Sequence, residues 1–299
     1  MTFHDDWTMI TELPKLPPRS PDSHKGSFGR VLVVGGSRNY LGAPSLAANS
    51  ALRGGAGLVA IAAPENVVPY IAALVPCATW VPLAVDARGC LDEAAIDHVI
   101  EESDRSTVLA VGPGLSLLPS VAILVEALLA LDKPVVLDAD GLNALAGLED
   151  WPRGRLTPML LTPHPGEFSR LTGKGVADIQ DSRLTSAVAA VREWNPAGGD
   201  QGELVLLLKG HETIVTDGTR VYINHTGNPG MATGGTGDVL TGLCAALVAQ
   251  GLGLFEAACL GANVHGLAGD LAAAKYGQVS LIATDLLEFL PAAIQKHQG

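Results

Sequence analysis

Arg30-Val-Leu-Val-Val-Gly-Gly-Ser37 is an unbroken apolar run that stops on two glycines. Without polar alternation, such a run suits a strand buried on both faces, and strands of that kind belong to parallel sheets covered by helices on both sides. The next stretch supplies the covering element. Pro44 fits a first helical turn, where its missing N–H is not needed, and the helix is expected to run to about Arg53. Leu58-Val-Ala-Ile-Ala62 then reads as a second buried strand.

The alternation continues downstream. Thr107-Val-Leu-Ala-Val111 ends in Gly112-Pro-Gly114, and a helix is expected from about Pro119 to Leu131. Pro134-Val-Val-Leu137 ends in Asp138-Ala-Asp140, and Met159-Leu-Leu161 ends in Thr162-Pro-His-Pro-Gly-Glu167, with helices to about Trp194. Glu203-Leu-Val-Leu-Leu-Leu208 ends in Lys209-Gly210, and the segments Thr213 to Thr216 and Arg220 to Ile223 suggest a hairpin around Asp217-Gly218. After Asn228 the pattern is helical. The expected fold is a three-layer α/β/α arrangement with a mostly parallel central sheet. Residues 1–25 are Pro-rich and read as an extended arm without a core of its own; residues 26–299 read as one domain, with no linker inside it. Nearly every strand ends in Gly, Asp, His or Lys at its carboxyl end. Ligands of open α/β sheets bind along that edge, so these loops are expected to converge on one site.

Hydrophobic residues make up 47% of the chain and charged residues 17%, enough apolar surface for a large core. A formal net charge of −12 argues against nucleic acid or an anionic membrane as partner, since both need a basic face. It leaves room for a small anion bound by backbone N–H groups at a helix start. Cys77, Cys90, Cys244 and Cys259 form no CxxC pair and no metal-ligand spacing, so a reducing cytosol is the simplest setting. The N-terminus lacks a signal-peptide pattern, and the uncharged stretch from Val239 to Phe255 is broken by Gly242, Gln250, Gly251 and Gly253, which suits buried helices. A cytoplasmic protein is expected.

Thr233-Gly-Gly-Thr-Gly-Asp238 precedes the apolar Val239-Leu-Thr-Gly-Leu243. Glycines let backbone N–H groups approach an anion, and the helix start adds partial positive charge. The run matches neither the P-loop nor the Rossmann fingerprint. A carboxylate beside a phosphate site is electrostatically awkward unless it acts as a base or works through Mg²⁺, so Asp238 points to deprotonation of a hydroxyl that attacks phosphorus. Asp138 and Asp140 are not expected to face one ligand together, and Asp140 is a candidate cap for a helix starting near Gly141. His164 lies between two prolines ahead of a helix expected at Pro165, without a second His or Cys at metal spacing. His24-Lys25-Gly26 reads equally well as a phosphate contact or a solvated lead-in.

The Asp238 loop resembles the anion hole and catalytic Asp of the ribokinase-like superfamily. The fuller run from Gly227 to Gly242 resembles the signature of one branch, the ADP/ATP-dependent NAD(P)H-hydrate dehydratases. His24-Lys-Gly-Ser-Phe-Gly-Arg-Val31, Val111-Gly-Pro-Gly-Leu115, Val136-Leu-Asp-Ala-Asp-Gly-Leu142, Leu161-Thr-Pro-His-Pro-Gly-Glu-Phe168 and Leu208-Lys-Gly210 match the same branch, so the resemblance covers about residues 13–293. It implies a ribokinase-like fold and a repair reaction. The S epimer of hydrated NADH or NADPH is dehydrated at the expense of ADP or ATP, with Mg²⁺ as cofactor and phosphate plus AMP or ADP released. It implies Asp238 as the base, and Ala43, Gly114, His164, Glu167 and Asp238 against the hydrated dinucleotide. It places Lys209, Gly210, His211, Glu212, Thr213, Gly235, Thr236 and Gly237 against the nucleotide, and assigns no metal ligand. A homotetramer is implied as well. With too few residues before Phe28 for the epimerase domain some relatives carry, a separate epimerase is expected. The competing readings are a sugar or vitamin-precursor kinase, which needs only the Asp238 loop, and a nucleotide-sensing module, which has no need of Asp238.

Overall fold

The computed structural model describes residues 7–196 and 201–298, so the first six residues of the N-terminal arm lie outside the described residues. In chain order the elements are β1 (Thr8–Met9), β2 (Arg30–Val34), α1 (Gly42–Arg53), β3 (Leu58–Pro64), α2 (Val68–Ala72), β4 (Thr79–Leu83), α3 (Ala94–Asp104), β5 (Val108–Val111), α4 (Pro119–Leu128) and β6 (Val135–Leu137). There follow α5 (Ala139–Leu145), β7 (Met159–Leu161), α6 (Pro165–Thr172), α7 (Val176–Asp181), α8 (Arg183–Trp194) and β8 (Leu204–Leu208). The chain closes with β9 (Ile214–Thr216), β10 (Arg220–Ile223), α9 (Thr236–Ala249), α10 (Leu254–Tyr276) and α11 (Ala283–Gln298). The described strands form one ten-stranded sheet in the order β1-β10-β9-β8-β7-β6-β5-β2-β3-β4. From β8 to β4 every pairing is parallel; β9 is antiparallel to both β8 and β10.

Strand periodicity divides the core in two. Val31 and Val33 of β2, Ile61 of β3, and Val205 and Leu207 of β8 face one layer, built on α1, α9, α10 and α11. Leu32, Val34, Ala60, Leu204, Leu206 and Leu208 face the other, with α3, α4, α6 and α8. Both faces are buried because each strand carries apolar side chains at odd and even positions, as the run from Arg30 first suggested. Contact between α1 and α9 depends on Gly242, where a Cβ would run into the backbone carbonyl of Ala47. Gly242→Ala is therefore expected to destabilise by about 1–3 kcal/mol through overpacking, read as a lower urea midpoint at unchanged slope.

The hairpin falls as expected, with Gly218 in the left-handed region at φ 90°. Other elements differ. β3 continues to Pro64, α4 stops at Leu128, and β4 with α2 and α3 occupies a stretch to which no element was assigned. Pro82 inside β4 weakens the strand signal there, and is tolerated because β4 lies at the sheet edge. The arm is extended, and its β1 pairs parallel with β10, while Ile10, Leu13 and Leu16 pack on the core. No helix among the described residues is long and apolar enough to cross a membrane.

Candidate active site

β2 lies between β3 and β5, so the strand order reverses there and the loops leaving β2 and β5 diverge to opposite faces. Open sheets form their ligand crevice at such a switch. The N–H of Gly36 donates to the Pro113 carbonyl at 2.9 Å, and the Ser116 hydroxyl bonds that of Ser37 at 2.8 Å, stitching the two loops together. Ala43 and Gly114 meet at this wall, where a Cβ on Gly114 would press on Tyr40 and Ala43.

Beside it sits a charged cluster. Asp138, at the end of β6, is buried; Lys209 Nζ, just beyond β8, donates to its Oδ1 at 2.6 Å, and the Thr241 hydroxyl on α9 donates to its Oδ2 at 2.7 Å. Burial favours the neutral acid, but the Lys209 ammonium and the hydroxyls of Thr241 and Thr162 outweigh it and hold Asp138 below the usual carboxylate range. Lys209 is only 19% exposed and also lies 3.8 Å from Glu167. One ammonium thus faces several carboxylates. Asp138 takes most of its charge, and the others pay with raised pKa values. Burial first, then Asp138, push Asp238 up to about 7, with Lys209 pulling the other way and Asp140 and Glu167 adding to the rise. Glu167, raised chiefly by burial, also reaches about 7.

His164 caps α6. Its Nδ1 accepts from the N–H groups of Gly166 and Glu167, and the Glu167 carboxylate accepts from the His164 N–H at 2.8 Å. The Pro-His-Pro sequence is therefore a helix start, with Pro165 at the position that needs no donor. Its Nε2 lies 3.4 Å from Glu167 and its side chain is about half exposed.

Asp238 lies in the first turn of α9, behind Gly235 in the left-handed region. His265 on α10 fixes that turn through Nε2, 2.9 Å from the Thr236 carbonyl. Burial lowers its pKa to about 4, so the ring is neutral, and because a carbonyl can only accept, Nε2 carries the hydrogen. Asp270 fixes the preceding loop by accepting from the Gly227 N–H and the Asn228 side chain, both at 2.9 Å. A cavity of about 600 Å³ opens between this loop and β8, within the size range of small-molecule sites. Its lining includes Lys209, Gly210, His211, Glu212, Thr213, Thr236 and Gly237, but not Gly235. Ala43, Gly114, His164, Glu167 and Asp238 do not line it.

A family model described as NAD(P)H-hydrate dehydratase matches residues 31–292. The chain belongs to that family. The bifunctional NAD(P)H-hydrate repair enzyme Nnr of Moorella thermoacetica is 48% identical over 280 residues, covering 93% of this chain and 51% of the relative. Its Escherichia coli counterpart is 37% identical over 277 residues, covering 92% and 49%. The chain spans about half the length of these curated relatives. Among solved structures, the ADP/ATP-dependent NAD(P)H-hydrate dehydratase of Bacillus subtilis, co-crystallised with ATP/Mg²⁺, matches with TM-score 0.81 at 31% identity, over 95% of each chain. A ribokinase-like superfamily protein of Enterococcus faecalis matches with TM-score 0.80 at 24% identity, over 100% of this chain and 99% of that one, which fixes the fold as ribokinase-like.

For this member of the dehydratase family, two expectations about aspartates need correction. Asp140 does not cap a helix near Gly141: it lies inside α5, and its Oδ2 accepts from the Ser116 N–H at 2.8 Å. Nor does strand alternation govern Asp138 and Asp140: it would put residues two apart on one face, but β6 ends at Leu137 and Ala139 turns through φ 49°. Sequence reasoning missed His265, Asp270 and Arg183, whose guanidinium donates to the carbonyls of Leu208 and Lys209. None of the three sits in a glycine-rich or strand-end motif; only the packing of α8 and α10 brings them in. His24 Nδ1 accepts from the Gly26 N–H as a local cap.

Proposed function

We propose that this chain dehydrates the S epimer of hydrated NADH or NADPH, consuming ADP or ATP and releasing phosphate with AMP or ADP. The observation that carries the reading is Asp238, a carboxylate held near neutrality on the first turn of a helix whose Thr236 and Gly237 line the cavity. The nucleotide occupies that cavity against Lys209 to Thr213, and the hydrated ring enters from the side of Ala43, Gly114, His164 and Glu167. Asp238 accepts the proton of the ring hydroxyl as its oxygen attacks the terminal phosphorus and the nucleotide leaves one phosphate shorter. The ring nitrogen then expels phosphate, and loss of a proton from the neighbouring ring carbon restores the double bond. The N–H groups of residues 235–237 stabilise the transferring phosphoryl group.

Mg²⁺ belongs to this reading as a nucleotide-borne ion. Among the described residues no group of three His, Cys, Asp or Glu is arranged to hold a metal, and Mg²⁺ commonly binds through substrate phosphates with few protein ligands. When bound it neutralises charge on the phosphoryl group. A cytoplasmic homotetramer remains part of the proposal, to be checked by light scattering. The bifunctional names of the relatives weigh against a separate epimerase as the necessary partner.

The test is purified protein with Mg²⁺, hydrated NADPH and either ADP or ATP, followed by reduced-nicotinamide absorbance. Recovery with at least one nucleotide is expected. No recovery with either sinks the proposal, and a stable phosphorylated product would favour a kinase instead.

A further inference from the structure

Asp140 has no part in the reaction just described, yet it holds Ser116, which joins the loops after β2 and β5. Ser116 sits at φ 68°, a left-handed conformation that a residue with a side chain keeps only when its surroundings hold it there. The holding group is the Asp140 carboxylate, which accepts the Ser116 N–H at 2.8 Å. Ser116 in turn bonds Ser37, and Pro113 accepts from Gly36. The loops after β2, β5 and β6 therefore form one wall at the switch point, with Gly114 in its middle. We propose that Asp140 is a positioning residue for the dinucleotide side of the site: its carboxylate sets the shape of the 112–116 loop. The inference rests on the proposed dehydratase reading.

Two variants test the role. Asp140→Asn keeps an oxygen for the Ser116 N–H; Asp140→Ala does not. In Asp140→Ala, hydrogen exchange over residues 112–117 should speed up, and KM for the hydrate should rise about tenfold while KM for the nucleotide holds. In Asp140→Asn, exchange and both KM values should hold. Unchanged exchange in Asp140→Ala, or a nucleotide KM that rises in parallel, overturns the positioning role. If wild-type protein fails to dehydrate the hydrate, the proposed activity falls, and the exchange result still decides what Asp140 does to the loop.

Discussion

Asp238→Asn is expected to lower kcat by about 10³-fold while nucleotide binding is kept, within the usual worth of a general base. The amide has the shape of the carboxylate but cannot take the hydroxyl proton. The neighbouring N–H groups, which hold the phosphates in the proposed reaction, are backbone atoms and survive the change. The pH profile supplies the sharper evidence. A base works only when deprotonated, and Asp238 is pushed up to about 7, mainly by burial and by Asp138. Wild-type kcat/KM should therefore climb with pH up to about 7, flatten above it, and fall roughly tenfold per unit on the acid side. The residual activity of Asp238→Asn should lose that limb. Glu167 titrates in the same range and shares Lys209 with Asp238, so the limb is a property of the coupled set. Glu167→Gln separates them: the limb should persist there. A limb that survives in Asp238→Asn and vanishes in Glu167→Gln would move the base role to Glu167.

The other large effect is on stability. Lys209→Met leaves Asp138 buried, 2% exposed, with hydroxyl donors but no cation. Breaking one side of a buried pair costs about 3–5 kcal/mol, which for a chain of this size lowers Tm by about 5–8 °C. Asp138→Asn should cost less, because the stranded ammonium still faces Glu167 and Asp238. Adding Asp138→Asn to Lys209→Met should then recover about 1–3 kcal/mol, since the unpaired charge is gone. In the wild type, the folded-state pKa of Asp138 lies below its unfolded value. Its stabilisation is complete above that unfolded value and fades as the pH falls through the folded one. Without Lys209 only the hydroxyls of Thr241 and Thr162 oppose burial, the largest single influence, so the folded pKa is expected to rise and the fold to prefer the protonated acid. The stability gap between wild type and Lys209→Met should narrow as the pH drops toward 5, and a gap that widens would show that Lys209 is not what keeps Asp138 ionised. Denaturant titrations at several pH values measure it.

The central strands were legible because burial on both faces leaves no polar alternation to confuse them, and their carboxyl ends could be read as one edge. β4 was not legible: an edge strand holding Pro82 and exposed alternate positions looks like a loop. Of the site, the Asp238 loop and the Pro-His-Pro-Gly-Glu start of α6 declare themselves, since caps and glycine turns are local chemistry. His265, Asp270 and Arg183 act through contacts with segments about 25 to 45 residues away, which no local pattern encodes. Asp140 was seen but given the wrong partner. Its helix begins with a left-handed Ala139, and nothing in that alanine announces a turn.

The two margins of the sheet have a consequence for how copies of this chain can meet. Among the described residues the last strand on one side is β1, two residues long; on the other it is β4, where Pro82 has no N–H to offer. Such margins are poor templates for a further strand. Growth of the sheet from one molecule into the next is thereby discouraged at both described margins, which favours self-association through helix faces and loops. The same blunting guards a large, very apolar sheet against fibrillar stacking, a hazard that grows with every long parallel strand whose backbone is left open.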